Sequence, residues 1–182
     1  MKVALHSCCG PCASACVPRL KEDGHDVAMV FANSNIATRE EFDRRREAAE
    51  ALALADGVPF FALPYDHESW LSEVAAGLED EPERGRRCEK CFRYNLAKTA
   101  EFAAEKGLDA FTTSLTVSPH KPSEKVFAAG RDAAASGQGA AFLEKDFKKK
   151  GGFLLSVRRA KELGLYRQGF CGCEFGGRPP RD

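Results

Sequence analysis

The sequence lacks any long hydrophobic run. No apolar stretch among its 182 residues approaches the roughly 20 residues that a membrane-spanning helix requires. Residues 1–6 run directly into cysteines and show neither the apolar core nor the cleavage site of a secretory signal. We therefore expect a cytoplasmic protein with no membrane partner.

The sequence also lacks internal repeats and any linker long enough to divide it. Hydrophobic residues make up 43% of the chain, which at this length is sufficient for one buried core. We predict a single α/β metal-binding catalytic domain over residues 1–175. The glycine-rich and proline-rich tail over residues 176–182 is predicted to be disordered.

Net charge is absent overall, but the charges are unevenly distributed. Residues 1–83 hold 7 Lys and Arg against 16 Asp and Glu, whereas residues 84–182 hold 20 against 11. A basic half suits a polyanion such as RNA, because phosphate contacts supply much of the affinity. An ordinary solvated surface would explain the same distribution equally well.

Short apolar stretches alternate with segments of helical periodicity. Strands are predicted at residues 2–6, 26–32, 59–63, 110–113 and 141–143. Helices are predicted at residues 13–23, 39–55, 69–78, 88–106, 122–135 and 152–163. This alternation predicts a three-layer α/β fold, with a parallel sheet covered by helices on both faces. Ligands in such sheets bind at the carboxyl ends of the strands, where the sequence places a cysteine loop and a polar loop, 8–12 and 114–121.

Cysteine, in contrast, is abundant. Seven of the eight cysteines form three groups, which are Cys8, Cys9 and Cys12, then Cys88 and Cys91, and finally Cys171 and Cys173. In a reducing compartment, clustered thiols bind metal or carry out redox chemistry more often than they form structural disulfides. Thiolates are soft ligands that suit zinc, copper(I) and iron–sulfur clusters. The eighth, Cys16, is predicted to be a core residue.

The number of thiols favours two metal centres. A structural zinc ion or a four-iron cluster uses about four cysteines. Either centre leaves three thiols, which could hold a second, separate iron with an open position. The helix dipole and the neighbouring arginines are expected to lower the pKa of Cys88 and Cys91.

Several residues outside the cysteine groups are candidates for substrate contact. His120 lies in a loop rich in hydroxyl groups and could supply a proton. An aromatic ring and a guanidinium just before Cys171 could stack on a base. The predicted substrate-binding residues are Tyr65, Asp66, Ser118, His120, Lys121, Tyr166 and Arg167.

Five motifs spread over nearly the whole chain form a highly specific combination. They are His-x-Cys-Cys-Gly-Pro-Cys at 6–12, Gly-Leu-Glu-Asp-Glu-Pro-Glu-Arg-Gly-x-Arg-Cys-x-x-Cys-Phe at 77–92, Thr-Thr-x-Leu-x-x-Ser-Pro-His-Lys at 112–121, Phe-Lys-Lys-Lys-x-Gly-Phe at 147–153 and Leu-Tyr-Arg-Gln-x-x-Cys-Gly-Cys at 165–173. Together these motifs resemble the QueH type of epoxyqueuosine reductase.

The resemblance implies a fold, a reaction and its partners. The fold is of the adenine nucleotide alpha hydrolase type, also called HUP-like. The reaction is the two-electron reductive deoxygenation of epoxyqueuosine at the wobble position of tRNA, which is the last step of queuosine biosynthesis. The implied cofactors are a 4Fe-4S cluster and an adjacent mononuclear iron, without cobalamin, and the implied partners are tRNA and an external electron donor.

The resemblance also implies roles for particular residues. All seven grouped cysteines are implied to be metal ligands. The ligands of the cluster are expected to come from Cys8, Cys9, Cys88, Cys91, Cys171 and Cys173. Catalytic roles are implied for Cys8, Cys9, Cys12 and His120. The division of the thiols between the two centres stays open, with Cys88 and Cys91 favoured for the cluster.

Two other functions compete with this hypothesis. A tRNA thiolation enzyme of related fold would need a Ser-Gly-Gly type of ATP loop, which the sequence lacks. A zinc-stabilised RNA-binding module would explain the cysteines and the basic half without any catalysis.

Overall fold

Five parallel strands form one sheet in the computed structural model, which describes residues 1–136 and 139–177. The strands are β1 (Lys2–His6), β2 (Asp26–Phe31), β3 (Phe60–Ala62), β4 (Ala110–Thr113) and β5 (Ala141–Phe142). Their order across the sheet is β3-β2-β1-β4-β5, and every adjacent pair is parallel. The predicted parallel α/β fold is therefore confirmed.

The described residues contain six α-helices, of which the first five lie between strands and the sixth follows β5. They are α1 (Gly10–Glu22), α2 (Arg39–Asp56), α3 (His67–Trp70), α4 (Arg86–Glu105), α5 (Ser123–Ala135) and α6 (Gly152–Glu162). Helix α3 begins two residues before the predicted start, because the Asp66 side chain accepts a hydrogen bond from the Ser69 N–H at 3.0 Å. The chain then continues as a π-helical turn over Leu71–Ala75.

The predicted polar loop 114–121 is only partly a loop. Its first half is a buried 3₁₀ turn over Ser114–Val117. The Thr113 hydroxyl starts this turn by accepting a hydrogen bond from the Leu115 N–H at 3.1 Å. One hydroxyl group of this segment therefore caps a buried turn. The polar composition had indicated only an exposed loop.

Helices cover both faces of the sheet. Leu5 and Met29 face one side and pack with α1 and α2, while α6 lies against α1. Ala4 and Val30 face the other side and pack with α4 and α5. Side chains alternate along a strand, so a strand buried on both faces is apolar throughout.

The sheet has a topological switch point at β1. The chain leaves β1 towards β2 and β3, and later returns on its other side as β4. Such a point opens a crevice at the carboxyl ends of the strands. There the Ser7 N–H donates to the Val30 carbonyl at 2.8 Å, and the Cys8 N–H donates to the Ser114 hydroxyl at 3.0 Å.

Part of the sequence-based prediction falls outside this description. Residues 178–182 are not among the described residues, so the disorder of the tail stays a prediction, as does the domain boundary at residue 175. Within the predicted tail, the Gly176 N–H donates to the Cys173 carbonyl at 3.1 Å. Among the helices of the described chain, none has the length and hydropathy to cross a bilayer.

The start of α1 depends on a glycine. A Cβ atom added at Gly10 would lie 2.5 Å from the carbonyl oxygen of Ala48 in α2. We expect Gly10→Ala to lower the free energy of unfolding of the metal-free protein by roughly 1–3 kcal/mol, because two helix backbones must separate. Urea denaturation measures the change.

Gly177→Ala is the matched control, since its added Cβ meets only the Glu83 carboxylate at 3.8 Å. It should leave the free energy of unfolding unchanged. Equal stability of the two variants would contradict the proposed close approach of α1 and α2.

Candidate metal centre

Three thiols converge directly after β1. The sulfur atoms of Cys8, Cys9 and Cys12 all lie within 4.8 Å of one another, and those of Cys8 and Cys9 are 3.9 Å apart. Two sulfurs bound to one ion at about 2.3 Å in tetrahedral geometry lie roughly 3.8 Å apart. The three-thiol group therefore fits a single metal ion.

The first turn of α1 creates this geometry. Cys9 has extended backbone and caps the helix, and its sulfur accepts a hydrogen bond from the Cys12 N–H at 3.5 Å. The turn thus brings Cys12 back to Cys8 and Cys9. Ser114 at the end of β4 holds Cys8 by donating its hydroxyl to the sulfur at 3.3 Å.

The three thiols titrate unequally. Contacts with Cys12 and Cys8 lower the pKa of Cys9 well below its usual range. Contact with Cys12 acts to lower the pKa of Cys8, but Cys9 and burial outweigh it and raise the pKa to about 12. The group therefore holds one thiolate most readily at Cys9, and a bound cation would favour ionisation of the others.

A second group contains the other four thiols. Cys88 and Cys91 lie one turn apart at the start of α4, and Cys171 and Cys173 lie on the C-terminal loop. Hydrogen bonding from Cys173 lowers the pKa of Cys171 to about 6, and the same contact raises the pKa of Cys173. Cys171 in turn raises the pKa of Cys91, so the loop and the helix bring their thiols within electrostatic reach of each other.

The expectation that the helix dipole and arginines lower the pKa of Cys88 and Cys91 is wrong. Burial is the largest effect at both sulfurs and raises both pKa values. Arg87 does act to lower the pKa of Cys88, but burial outweighs it, and the guanidinium itself donates to the carbonyls of Leu78, Glu81 and Phe175. Both thiols are thus neutral in the metal-free protein at neutral pH.

Two buried arginines anchor the segments around the second group. Arg45 is 3% exposed and pairs with Glu41, and it also donates to the carbonyl of Cys171 at 2.8 Å. Arg87 is 1% exposed and ties the loop before α4 to Phe175. The sequence reasoning did not identify Arg45, although its spacing from Phe42 and Ala49 places a charge on the apolar face of α2.

A crevice of about 520 Å³ lies beside the thiols. It is lined by Cys8, Cys9, Cys12, Cys91 and Cys171 together with Ser118, His120, Lys121, Arg167 and Gln168. Burial acts to lower the pKa of Lys121, but the negative charge of Cys171 and of the three-thiol group outweighs it and raises the pKa. The Lys121 ammonium therefore stays charged and balances negative charge from both thiol groups.

His120 stands at the edge of the crevice with a defined tautomer. Its Nδ1 lies 3.2 Å from the guanidinium of Arg84. Because a guanidinium can only donate, Nδ1 accepts the hydrogen bond and the ring proton of the neutral histidine is on Nε2.

Three of the predicted substrate-binding residues do not line this crevice. The Tyr65 hydroxyl donates to the Ile36 carbonyl, the Asp66 carboxylate caps α3, and the Tyr166 hydroxyl donates to Glu41. The side chains are engaged by these partners and lie outside the lining of the crevice. Ser118, His120, Lys121 and Arg167 do line it, as predicted.

His6 also lies outside the lining of the crevice. Its ring is fully buried, and burial lowers its pKa to about 4. The neutral ring bridges two strand ends through Thr113 Oγ1 at 2.9 Å and the Ala32 carbonyl at 3.2 Å. Its position indicates a role in holding the edge of the sheet.

The chemistry of the donor set fits iron–sulfur and iron ligation. All eight cysteines are free thiols, and Cys16 is fully buried in the core, as predicted. Among the described residues, two buried polar atoms beside the thiols have no hydrogen-bond partner, Trp70 Nε1 and Gln168 Oε1. Unpaired buried groups of this kind are uncommon and suggest that another group completes the site.

The fold and the thiols together define a cysteine-rich α/β protein with a parallel sheet and potential metal ligands at its topological switch point. A family model described as "Epoxyqueuosine reductase QueH" matches residues 3–178. The chain therefore belongs to the QueH family, and the resemblance inferred from the motifs is confirmed.

Individual relatives agree with this assignment. A protein of Streptococcus pyogenes is 36% identical over 179 residues, which cover 95% of this chain and 69% of the relative. A protein of Thermotoga maritima is 32% identical over 176 residues, which cover 95% of this chain and 88% of the relative. Both are named "Epoxyqueuosine reductase QueH".

A solved structure supports the fold independently. A predicted subunit of a tRNA methyltransferase from Methanocaldococcus jannaschii aligns with a TM-score of 0.56 over 86% of this chain and 76% of its own. At 14% identity, this likeness concerns the fold alone.

The anchoring role of Arg45 leads to a stability prediction. Arg45→Met leaves the buried Glu41 carboxylate without its cation, so we expect the free energy of unfolding to fall by roughly 3–5 kcal/mol. Urea denaturation of the metal-free protein measures it. The double variant Glu41→Gln with Arg45→Met removes both charges and should recover most of this loss. An Arg45→Met variant with the same free energy of unfolding as the wild type would contradict the ion pair between Arg45 and Glu41.

Proposed function

We propose that this chain reduces epoxyqueuosine in tRNA to queuosine, in the cytoplasm and without cobalamin. The observation that carries the proposal is a crevice at the carboxyl edge of the sheet that five of the seven grouped cysteines line, namely Cys8, Cys9, Cys12, Cys91 and Cys171. Membership of the QueH family supports it, since the curated relatives carry the name of that reductase.

The geometry favours one division of the thiols. Cys8, Cys9 and Cys12 are spaced for a single ion, so we assign the mononuclear iron to them. The 4Fe-4S cluster is then assigned to Cys88, Cys91, Cys171 and Cys173, which adds the C-terminal pair to the helix pair favoured from the sequence. When bound, the cluster supplies electrons one at a time and the iron supplies a Lewis acid for the epoxide oxygen.

The residues of the chain supply binding and protons. Converting an epoxide to an alkene consumes two electrons and two protons and releases the oxygen as water. His120 lines the crevice, and its imidazolium form could donate the Nε2 proton to the departing oxygen and return to the neutral ring. The Gln168 carbonyl oxygen is buried, has no hydrogen-bond partner within the part of the chain that the structure describes, and is suited to accept a hydrogen bond from a hydroxyl group of the substrate.

The surroundings of the crevice suit a nucleic acid. Arg84 and Arg167 line it with exposed guanidinium groups, and Arg167 also covers the ring of Phe153 at 5.3 Å. These cations are positioned to meet phosphates of the anticodon stem-loop, whose affinity should fall as salt rises. An external reductant must return the two electrons after each turnover.

The assignment of the thiols is testable by metal analysis. Anaerobically reconstituted wild-type protein should be brown and hold about five irons and four sulfides, the sum of one four-iron cluster and one iron. Cys12→Ala should lose about one iron and keep the sulfide, because it removes a ligand of the single ion. Cys91→Ala should lose most of the sulfide.

Cys16→Ala is the matched control, because Cys16 lies in the core next to the three-thiol group and is not assigned as a ligand. It should keep the full metal content. Colourless wild-type protein with one stoichiometric zinc would refute the cluster and favour the RNA-binding module.

The reaction is testable with tRNA that contains epoxyqueuosine and a strong reductant. Loaded wild-type protein should form queuosine, detected by mass spectrometry of the nucleosides. His120→Gln keeps a hydrogen-bond donor but cannot transfer a proton, so kcat should fall by about 10²–10⁴-fold with unchanged metal content. If fully loaded wild-type protein forms no queuosine, the proposed reaction is wrong. If His120→Gln keeps the wild-type kcat, His120 is not the proton donor.

A further inference from the structure

The segment between β5 and α6 contains a lysine-rich turn to which the proposed reaction assigns no role. Residues 148–151, called the lysine turn below, lead directly into α6. Lys149 and Lys150 are exposed, and within the described chain neither forms an ion pair. Lys145, in contrast, pairs with Asp23. The lysine turn therefore presents two positive charges that the described fold does not neutralise.

The backbone of the lysine turn is strained. Lys150 has a φ of 52° and Gly151 a φ of 70°, so two successive residues are in the left-handed region. A lysine adopts this conformation at an energetic cost, because its Cβ atom crowds the backbone. Such a residue persists only where its surroundings hold it, and it is then a reason to look for a function.

Helix α1 holds the lysine turn in this conformation. The Arg19 guanidinium donates to three carbonyl oxygens, which are those of Phe147 at 2.7 Å, Lys149 at 2.9 Å and Lys150 at 2.8 Å. Gly152 closes the turn so tightly that an added Cβ atom would overlap the Phe147 carbonyl oxygen. The backbone that carries the two exposed lysines is therefore ordered before any ligand binds.

The lysine turn borders the crevice. Lys148 is half-buried, and its ammonium donates to the carbonyl of Lys121 at 2.7 Å. Lys121 lines the crevice on one side of the turn, and Phe153 lines it just after the turn. Lys149 and Lys150 thus lie beside the crevice but outside its lining.

We propose that Lys149 and Lys150 bind backbone phosphates of the tRNA beside the crevice, as a contact surface separate from Arg84 and Arg167. The inference rests on the proposed function, which identifies the polyanion as tRNA. Lysine contacts to phosphates position a nucleic acid without reading its sequence. Because the turn is already ordered, binding costs less conformational entropy than it would on a flexible segment. The lysine turn therefore suits holding the anticodon stem-loop while the modified base enters the crevice.

The salt dependence of RNA binding tests the proposal. The anaerobically loaded wild type is compared with the double variant Lys149→Ala with Lys150→Gly, and fluorescence anisotropy gives the association constant of a labelled anticodon stem-loop RNA. Removing two phosphate contacts should make the slope of the logarithm of this constant against the logarithm of salt concentration less steep by about 1.4–1.8. The advantage of the wild type in affinity should then shrink about tenfold between about 50 and 200 mM salt.

Two further comparisons separate binding from folding. Glycine adopts a positive φ freely, so Lys150→Gly relieves strain, and this offsets the greater freedom of the unfolded chain. The double variant should therefore keep a free energy of unfolding close to that of the wild type. Lys149→Arg with Lys150→Arg keeps both charges and should keep the wild-type slope.

Lys2→Ala with Lys106→Ala is the matched control, because it also removes two exposed lysines. Lys2 begins β1 and Lys106 ends α4 just before β4, so both lie at the amino edge of the sheet, away from the crevice. The control should keep the wild-type slope.

The outcomes distinguish this contact from the proposed reaction. If the lysine-turn variant keeps the wild-type slope, the inference is wrong and an acidic protein becomes the better candidate partner. An equal loss of slope in the control would also overturn it, since the effect would then be one of total charge. Loaded wild-type protein that forms no queuosine but shows the expected difference in slope would refute the reaction and support the contact.

Discussion

The parallel pairing of β1 with β2 on one side and β4 on the other determines where every thiol group can meet. Because the strands are parallel, their carboxyl ends lie at one edge, and the chain leaves β1 and β4 there as the cysteine loop and the 114–121 segment. His6, Thr113 and Ser114 join these two ends by hydrogen bonds. The three-thiol group therefore stands at the end of the central strand of the sheet, which pairs with a neighbour on each side.

The second thiol group depends on a different interaction. Its cysteines come from a helix and from a C-terminal loop that has no strand to hold it. Buried arginines replace the missing backbone partners, since Arg45 donates to carbonyls of residues 170 and 171 and Arg87 donates to Phe175. A guanidinium suits this task because its several donors can satisfy more than one carbonyl at once.

The two arrangements serve the proposed chemistry in complementary ways. A single ion needs closely spaced sulfurs, which a helix N-terminus on a strand end supplies. A four-iron cluster is larger than a single ion and needs sulfurs that are further apart. A loop that packs against a helix can supply such a spacing. Between them, Lys121 keeps a positive charge and the crevice opens to solvent beside His120, so substrate and protons can reach both groups.

Much of the fold could be predicted from the sequence. The five strands and the helices were found within a few residues, because buried parallel strands and amphipathic helices leave strong local patterns. The exceptions were the start of α3 and the buried 3₁₀ turn at Ser114–Val117, where the side chains of Asp66 and Thr113 cap the turn, and the π-helical turn at Leu71–Ala75. The motifs also identified the family, because their spacing is a property of the chain alone.

The candidate site was predicted in its ligands but not in its geometry. The sequence by itself determined which residues carry sulfur, which strand ends they follow and which family the chain belongs to. Only the tertiary structure decided the grouping of the thiols, the raised pKa values at Cys88 and Cys91, the anchoring by Arg45 and the removal of Tyr65, Asp66 and Tyr166 from the crevice wall. The physical reason is that burial, charge and hydrogen bonding depend on residues distant in the sequence, whose proximity no local pattern records.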